Sequence, residues 1–163
     1  MNLLDDEGLN SYNYGARYKG LDKEIASYFP ANAIGFHLEV LAPQCFSAPY
    51  HWHEKEEELV IVLKGEAMLR ENNKFRKVKE GDLIFFGTGE TPHQLYNHSK
   101  TDFRYFVLSS KASDDICHYP DSRKRLIRKD RQVLQGETPV DYWKDEEDPA
   151  IHWPAYALEG KDA

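Results

Sequence analysis

From Ala33 to Ser110 the chain is cut by turn signals into runs too short for helices. That punctuation confines it to an antiparallel sandwich or barrel. Ala33–Leu41 is β-prone and ends at Ala42-Pro43. Leu59-Val60-Ile61-Val62-Leu63 is a continuous apolar run closed by Gly65, the pattern of a strand buried on both faces. Glu71-Asn72-Asn73-Lys74 reads as a hairpin tip and Glu80-Gly81-Asp82 as a turn. Leu83–Phe86 is a short buried strand, residues 87–92 form a loop, and Phe103–Ser109 is the last clear strand of the core.

The flanks read differently. Residues 1 to about 30 form an irregular lead-in, with one or two helical turns within Leu21–Phe29 before Pro30. Residues 111–163 form a polar tail with a hairpin around Gly136, packed on the barrel or on a partner subunit. Trp143 and Trp153 anchor that tail by burial. The basic block Arg123 to Arg131 and the acidic block Asp145 to Asp148 are expected to be solvated faces. A chain of 163 residues fits one domain, 1–163, with the barrel core at about 33–110.

Charge narrows the partners. With 21 Lys and Arg against 28 Asp and Glu, the net charge of −7 disfavours nucleic acid. No apolar run approaches the length of a membrane span, so no membrane partner is expected. Met1-Asn2-Leu3-Leu4-Asp5-Asp6-Glu7 lacks the pattern of a signal peptide, and the expectation is a cytoplasmic protein. Cys45 and Cys117 are too few for a disulfide framework or a thiolate metal site, and Cys117 reads as a small buried hydrophobe.

The chemistry lies in His51-Trp52-His53, in the acidic run that follows, and in His93 forty residues on. On a strand His51 and His53 share one face and Trp52 takes the other. Two imidazoles, a carboxylate and a third imidazole from a later strand can converge on one divalent cation and leave positions open for water or ligand. Glu58 is the preferred carboxylate, in phase with Val60 and Val62 and six residues before Gly65. Asn97 is expected to satisfy backbone groups at a turn, and His37 to be an ordinary core or surface histidine.

With those residues placed, the chain resembles the cupin superfamily, whose fold is a jelly-roll barrel or double-stranded β-helix. His51, His53, Glu58 and Gly65 match the first cupin motif, although Cys45 stands where that motif opens on glycine. Gly81, Gly89, His93 and Asn97 match the second, with Gly87 in place of the typical proline and a loop one residue longer before His93. Asp114 to Asp121 further resembles a branch of small bacterial single-domain cupins, some described as sugar-phosphate-isomerase-like. The resemblance implies an all-β cupin barrel holding one divalent ion (Fe, Mn, Ni or Zn) on His51, His53, Glu58 and His93. It implies a metal-dependent isomerase, lyase or dioxygenase acting on a small sugar-like or carboxylate molecule, or else a non-catalytic module binding such a molecule through the same ion. It also implies a homodimer. No general base is identifiable from sequence, Glu57 and the tyrosines being equal guesses.

Overall fold

A computed structural model describes residues 1–162. Its order is set by antiparallel pairing throughout. β1 (Asn10–Tyr14) and β2 (Tyr18–Glu24) form a hairpin, a 3-10 turn follows at Ala26–Tyr28, and β3 spans Ile34–Leu41. Then come β4 (Trp52–His53), β5 (Glu58–Lys64), β6 (Glu66–Glu71), β7 (Lys74–Lys79), β8 (Leu83–Phe86), β9 (His93–Tyr96) and β10 (Phe103–Ser110). The tail contributes β11 (Ile116–Tyr119), β12 (Lys124–Ile127), β13 (Gln132–Gln135), β14 (Thr138–Pro139) and a helical turn at Ala155–Leu158.

Three sheets result: β1-β2-β3-β10-β5-β8, β7-β6-β9, and β14-β13-β12-β11-β4. This is the expected all-β jelly-roll. The continuous apolar run of β5 has neighbours on both sides, β10 and β8. Val60 and Val62 turn into the core beside Leu41, Leu69, Ile84, Phe103 and Val107. Leu59 and Ile61 face outward and are only half-buried, and Leu83 and Phe85 of β8 are exposed beside them. So β5 is not buried on both faces and Leu83–Phe86 is not the buried strand expected: the barrel covers one face of each and, among the described residues, nothing covers the other. Gly65 reverses the chain between β5 and β6 with φ +86°, and a Cβ there would lie 3.0 Å from the Asp102 carbonyl oxygen. Both conditions ask for glycine.

The flanks are more regular than their composition suggests. The lead-in is the β1–β2 hairpin, and the helical turn covers only Ala26–Tyr28 because Leu21–Glu24 extends β2. β3 would otherwise be an edge with open N–H and C=O groups, and β2 pairs along it from Gly20↔Leu41 to Glu24↔His37. In the tail the hairpin around Gly136 is present as β13–β14.

The tail packs on its own chain. β11 pairs with β4, and Trp153 is buried among Phe46, Phe75 and Tyr96, donating its indole N–H to Gln94 Oε1 at 2.9 Å. One residue of the basic block departs from the expected solvated face. Lys124 is buried, with Nζ 3.1 Å from Glu146 Oε1 and 2.6 Å from the Lys144 carbonyl oxygen. A buried ammonium needs such partners. Among the described residues no helix is long and apolar enough to cross a membrane.

Candidate metal centre

Backbone pairing, not proximity in sequence, assembles the donors. His51 and His93 face each other in an antiparallel bridge, with His51 N–H donating to His93 O at 3.2 Å and the reverse bond at 2.9 Å. His53 lies on β4 opposite Cys117 of β11, and Glu58 opens β5 opposite Phe86 and Ser109. Alternation turns Trp52 away, and its ring stacks on His118 with centroids 4.2 Å apart. The loop before β9 is tied to the site by Gly89 N–H, which donates to His53 O at 2.8 Å.

Each imidazole has its Nδ1 committed to an oxygen. His51 Nδ1 is 2.8 Å from Pro49 O, His53 Nδ1 is 2.7 Å from Asp115 Oδ2, and His93 Nδ1 is 3.3 Å from Thr91 O. Donation from Nδ1 to those acceptors leaves the Nε2 of His51 and His53 as a free lone pair, and would do so for His93 once an ion replaced its Nε2 contact with Glu58. All three Nε2 atoms surround one carboxylate oxygen. Glu58 Oε2 is 2.9 Å from His93 Nε2, 3.8 Å from His51 Nε2 and 3.9 Å from His53 Nε2. The His93 ring lies flat on Phe86, with centroids 3.6 Å apart, so it cannot swing away cheaply.

These residues fit a divalent ion. Ligand atoms about 2.0–2.2 Å from a common centre lie within about 4.4 Å of one another. The ligand atoms of His51, Glu58 and His93 lie within 4.8 Å of one another, close to that spacing, and so do those of His51, His53 and Cys117; His51 is common to the two groups, and neither holds all four expected donors. Cys117 thus borders the site at its sulfur, although no sequence motif pointed to it. A third group, His53, Glu56 and Asp115, lies behind His53.

Comparisons with known proteins bear on the barrel that carries these residues. Residues 37–109, from β3 to β10, match the cupin domain family. The matched stretch coincides with the barrel. An oxalate-binding protein from Thermotoga maritima is 33% identical over 66 residues, 40% of this chain and 54% of that protein, so the match spans about half of the relative. Among solved structures, a protein named as a sugar phosphate isomerase from Acidithiobacillus ferrooxidans is 27% identical with TM-score 0.67, covering 76% of each chain. A cupin named as a sugar phosphate isomerase from Silicibacter pomeroyi shares the fold at 18% identity and TM-score 0.67, covering 84% of this chain and 89% of its own.

The barrel encloses a cavity of about 240 Å³ with His51, Glu58 and His93 on one wall. His37, Glu39 and Tyr105 stand on another. Glu39 Oε2 accepts from Tyr105 Oη at 2.6 Å and from Tyr12 Oη at 3.4 Å, while its Oε1 is 3.5 Å from His37 Nε2. His37 is therefore a cavity residue and not the ordinary core or surface histidine expected. Alternation held the signal. In Phe36-His37-Leu38-Glu39-Val40 the two polar residues share the face opposite three apolar ones. Glu57, in contrast, is exposed. Asp115, wholly buried behind His53, was invisible in sequence because 62 residues separate the pair.

Burial and mutual charge set the electrostatics. Burial lowers His51, and His93 beside it adds to this, bringing its pKa to about 3, so it is neutral at working pH. Burial would raise Glu58, but the His93 hydrogen bond and the three imidazoles outweigh it and hold the carboxyl well below the usual range. Burial works against a charged His53 as well, yet Cys117, Glu58 and Asp115 together push it up to about 10. The cluster draws one positive charge into the cavity. A proton can supply it, and so can an ion. Burial and the neighbouring Glu39 raise Tyr105 far above its ordinary value, which keeps its hydroxyl a donor to Glu39. Asn97 acts at the turn as expected, its amide donating to Leu41 O at 2.9 Å and Thr101 O at 2.8 Å.

Proposed function

We propose that this chain is a metal-dependent cupin enzyme acting on a small polar molecule, with one divalent ion (Fe, Mn, Ni or Zn) held by His51, His53, Glu58 and His93. The observation that carries the reading is that one cavity has three of these donors, His51, Glu58 and His93, on one wall and a second carboxylate, Glu39, on another. When bound, the ion supplies Lewis acidity toward a substrate oxygen, or oxygen activation if it is iron.

The chain's own residues supply the rest. Glu39 is the proton acceptor for a substrate held in the cavity. Tyr105 and Tyr12 occupy its Oε2, which leaves Oε1 as the working atom. His37, 3.5 Å from that atom, takes up or returns the proton. Val60, Val107, Leu95 and Phe86 line the same cavity and exclude water from it.

A panel of free sugars and sugar phosphates in D₂O tests this by proton NMR. With metal-loaded protein, a C–H beside a carbonyl should exchange for deuterium. Glu39→Gln should slow that exchange by about 10²–10⁴-fold, the usual scale of a general base. Its Mn(II) affinity should be unchanged. Exchange that survives in Glu39→Gln would remove Glu39 from the role. A second reading, a non-catalytic binder, is favoured by the name of the Thermotoga maritima relative. It expects ligand binding with no exchange for any member of the panel.

A further inference from the structure

Outside the donor cluster the cavity opens into a vestibule of about 350 Å³ between the N-terminal strands β1–β3 and the tail at Tyr142 and Trp143. His37, Glu39, Ser47 and Ala48 line both spaces, so the two adjoin.

The vestibule has two kinds of wall. One is aromatic. Tyr12 and Tyr14 stack with centroids 6.1 Å apart, Tyr14 and Trp143 at 4.5 Å, and Tyr142 meets Trp143 edge-on at 4.9 Å. Tyr14 is about half exposed, at 49%, so the platform reaches solvent. The other wall is acidic, with Asp22, Glu24 and Glu39. Among the described residues no lysine or arginine lines either the vestibule or the inner cavity.

We propose that this vestibule is a subsite for an uncharged polyhydroxylated molecule, a free sugar or similar polyol, and that it discriminates against the phosphorylated form. This rests on the reading of the cavity as a metal-dependent site for a small polar molecule. A flat ring packs against the C–H face of a sugar and loses little conformational freedom in doing so. Carboxylates accept hydrogen bonds from hydroxyls at the sugar's edge. A phosphate dianion in the same place would meet three carboxylates and no counter-cation in a partly desolvated space.

Basic residues do occur on the other side of the donors. Lys111 and Arg128 line a third opening, which borders Glu24, Glu56 and the donors His53 and Glu58 and shares His37 with the cavity and the vestibule. Arg128 is already paired with Glu56 at 2.5 Å, and Lys111 stands exposed. That opening offers a phosphate one uncommitted cation beside three carboxylates, Glu24, Glu56 and Glu58. The vestibule therefore departs from what the names of the two isomerase neighbours would lead one to expect of a ligand.

Calorimetric titration of the full chain with D-fructose, D-ribose and their phosphates tests the proposal, run with and without Mn(II). Each free sugar should bind at least about tenfold more tightly than its phosphate. Trp143→Ala should weaken free-sugar binding by about tenfold or more and leave Mn(II) affinity unchanged. Tyr14→Ala, at a half-exposed site, should do the same and guards against misfolding of the first variant. Asp22→Asn combined with Glu24→Gln should narrow the gap by strengthening phosphate binding.

Phosphates that bind as tightly as free sugars, or free-sugar binding indifferent to both aromatic substitutions, would overturn the proposal. So would the absence of binding by either free sugar. A phosphate preference abolished by Lys111→Ala would move the ligand to the opposite opening. Failure of the metal reading shows separately, as absence of Mn(II) binding. The aromatic and acidic walls do not depend on the ion, so the comparison between sugars and phosphates still stands in that case.

Discussion

Glu58→Gln and His93→Ala should each weaken Mn(II) or Ni(II) binding by at least about 100-fold, beyond the 10–100-fold typical of residues that merely support a ligand. Glu58 supplies the oxygen that three Nε2 atoms surround, and its loss removes the one anionic donor among the four. His93 holds the shortest of those contacts, and its ring is fixed by Phe86. Asp115→Asn should fall within the 10–100-fold range, because it leaves the four donors in place and alters the support behind them, the His53 Nδ1 contact and the acceptor for Lys55 N–H.

Affinity in the unsubstituted protein should also decline as pH falls. The sign follows from His53, whose pKa is pushed up to about 10 in the ion-free cluster, so that a proton and the ion compete for the same nitrogens. Calorimetry across a pH series, with circular dichroism to check folding, measures both effects. Wild-type affinity in Glu58→Gln would mean that another group binds the ion.

Trp153→Ala should lower stability by about 3–5 kcal/mol, the range for deleting a large buried aromatic side chain. Trp153 is 5% exposed and closes a cluster with Tyr18, Phe46, Met68 and Tyr96. Its removal also leaves Gln94 Oε1 without its indole donor inside that cluster. Trp153→Phe should cost less, about 1–3 kcal/mol, because it keeps most of the packing and loses the hydrogen bond. We further propose that barrel and tail are one folding unit. Denaturant unfolding followed by fluorescence and by circular dichroism should then give coincident single transitions, shifted together in Trp153→Ala. A tail that unfolds first, with the barrel transition unmoved, would contradict this.

How much of this was legible in the chain depended on the range of the interactions. Strands with their own apolar signature, such as Leu59–Leu63 and Phe103–Ser109, lie where pattern and turn signals place them. The four donors could be picked out because two histidines and a glutamate sit close in sequence and the third histidine opens a strand. What escaped was structure made by a partner. β1 is polar and almost wholly exposed, so it carries no burial pattern and is a strand only because β2 borders it. β2 in turn exists because β3 has an edge to fill.

Asp115 and Cys117 reach the site through the β11–β4 pairing, which no local periodicity encodes. Glu39 is a different case. Its place on the cavity face was present in the alternation of β3, but one carboxylate in an apolar strand resembles a tolerated exception until Tyr105 and His37 are seen beside it.

The central proposal is spatial: one ion would sit among three imidazoles and one carboxylate drawn from separate segments of the barrel. Anomalous scattering from crystals grown with Mn(II) or Ni(II) tests it most directly. The account expects a single strong peak about 2.0–2.3 Å from the Nε2 atoms of His51, His53 and His93 and from a carboxylate oxygen of Glu58. A peak at His53, Glu56 and Asp115 instead, or no peak in the barrel at saturating ion, would contradict it.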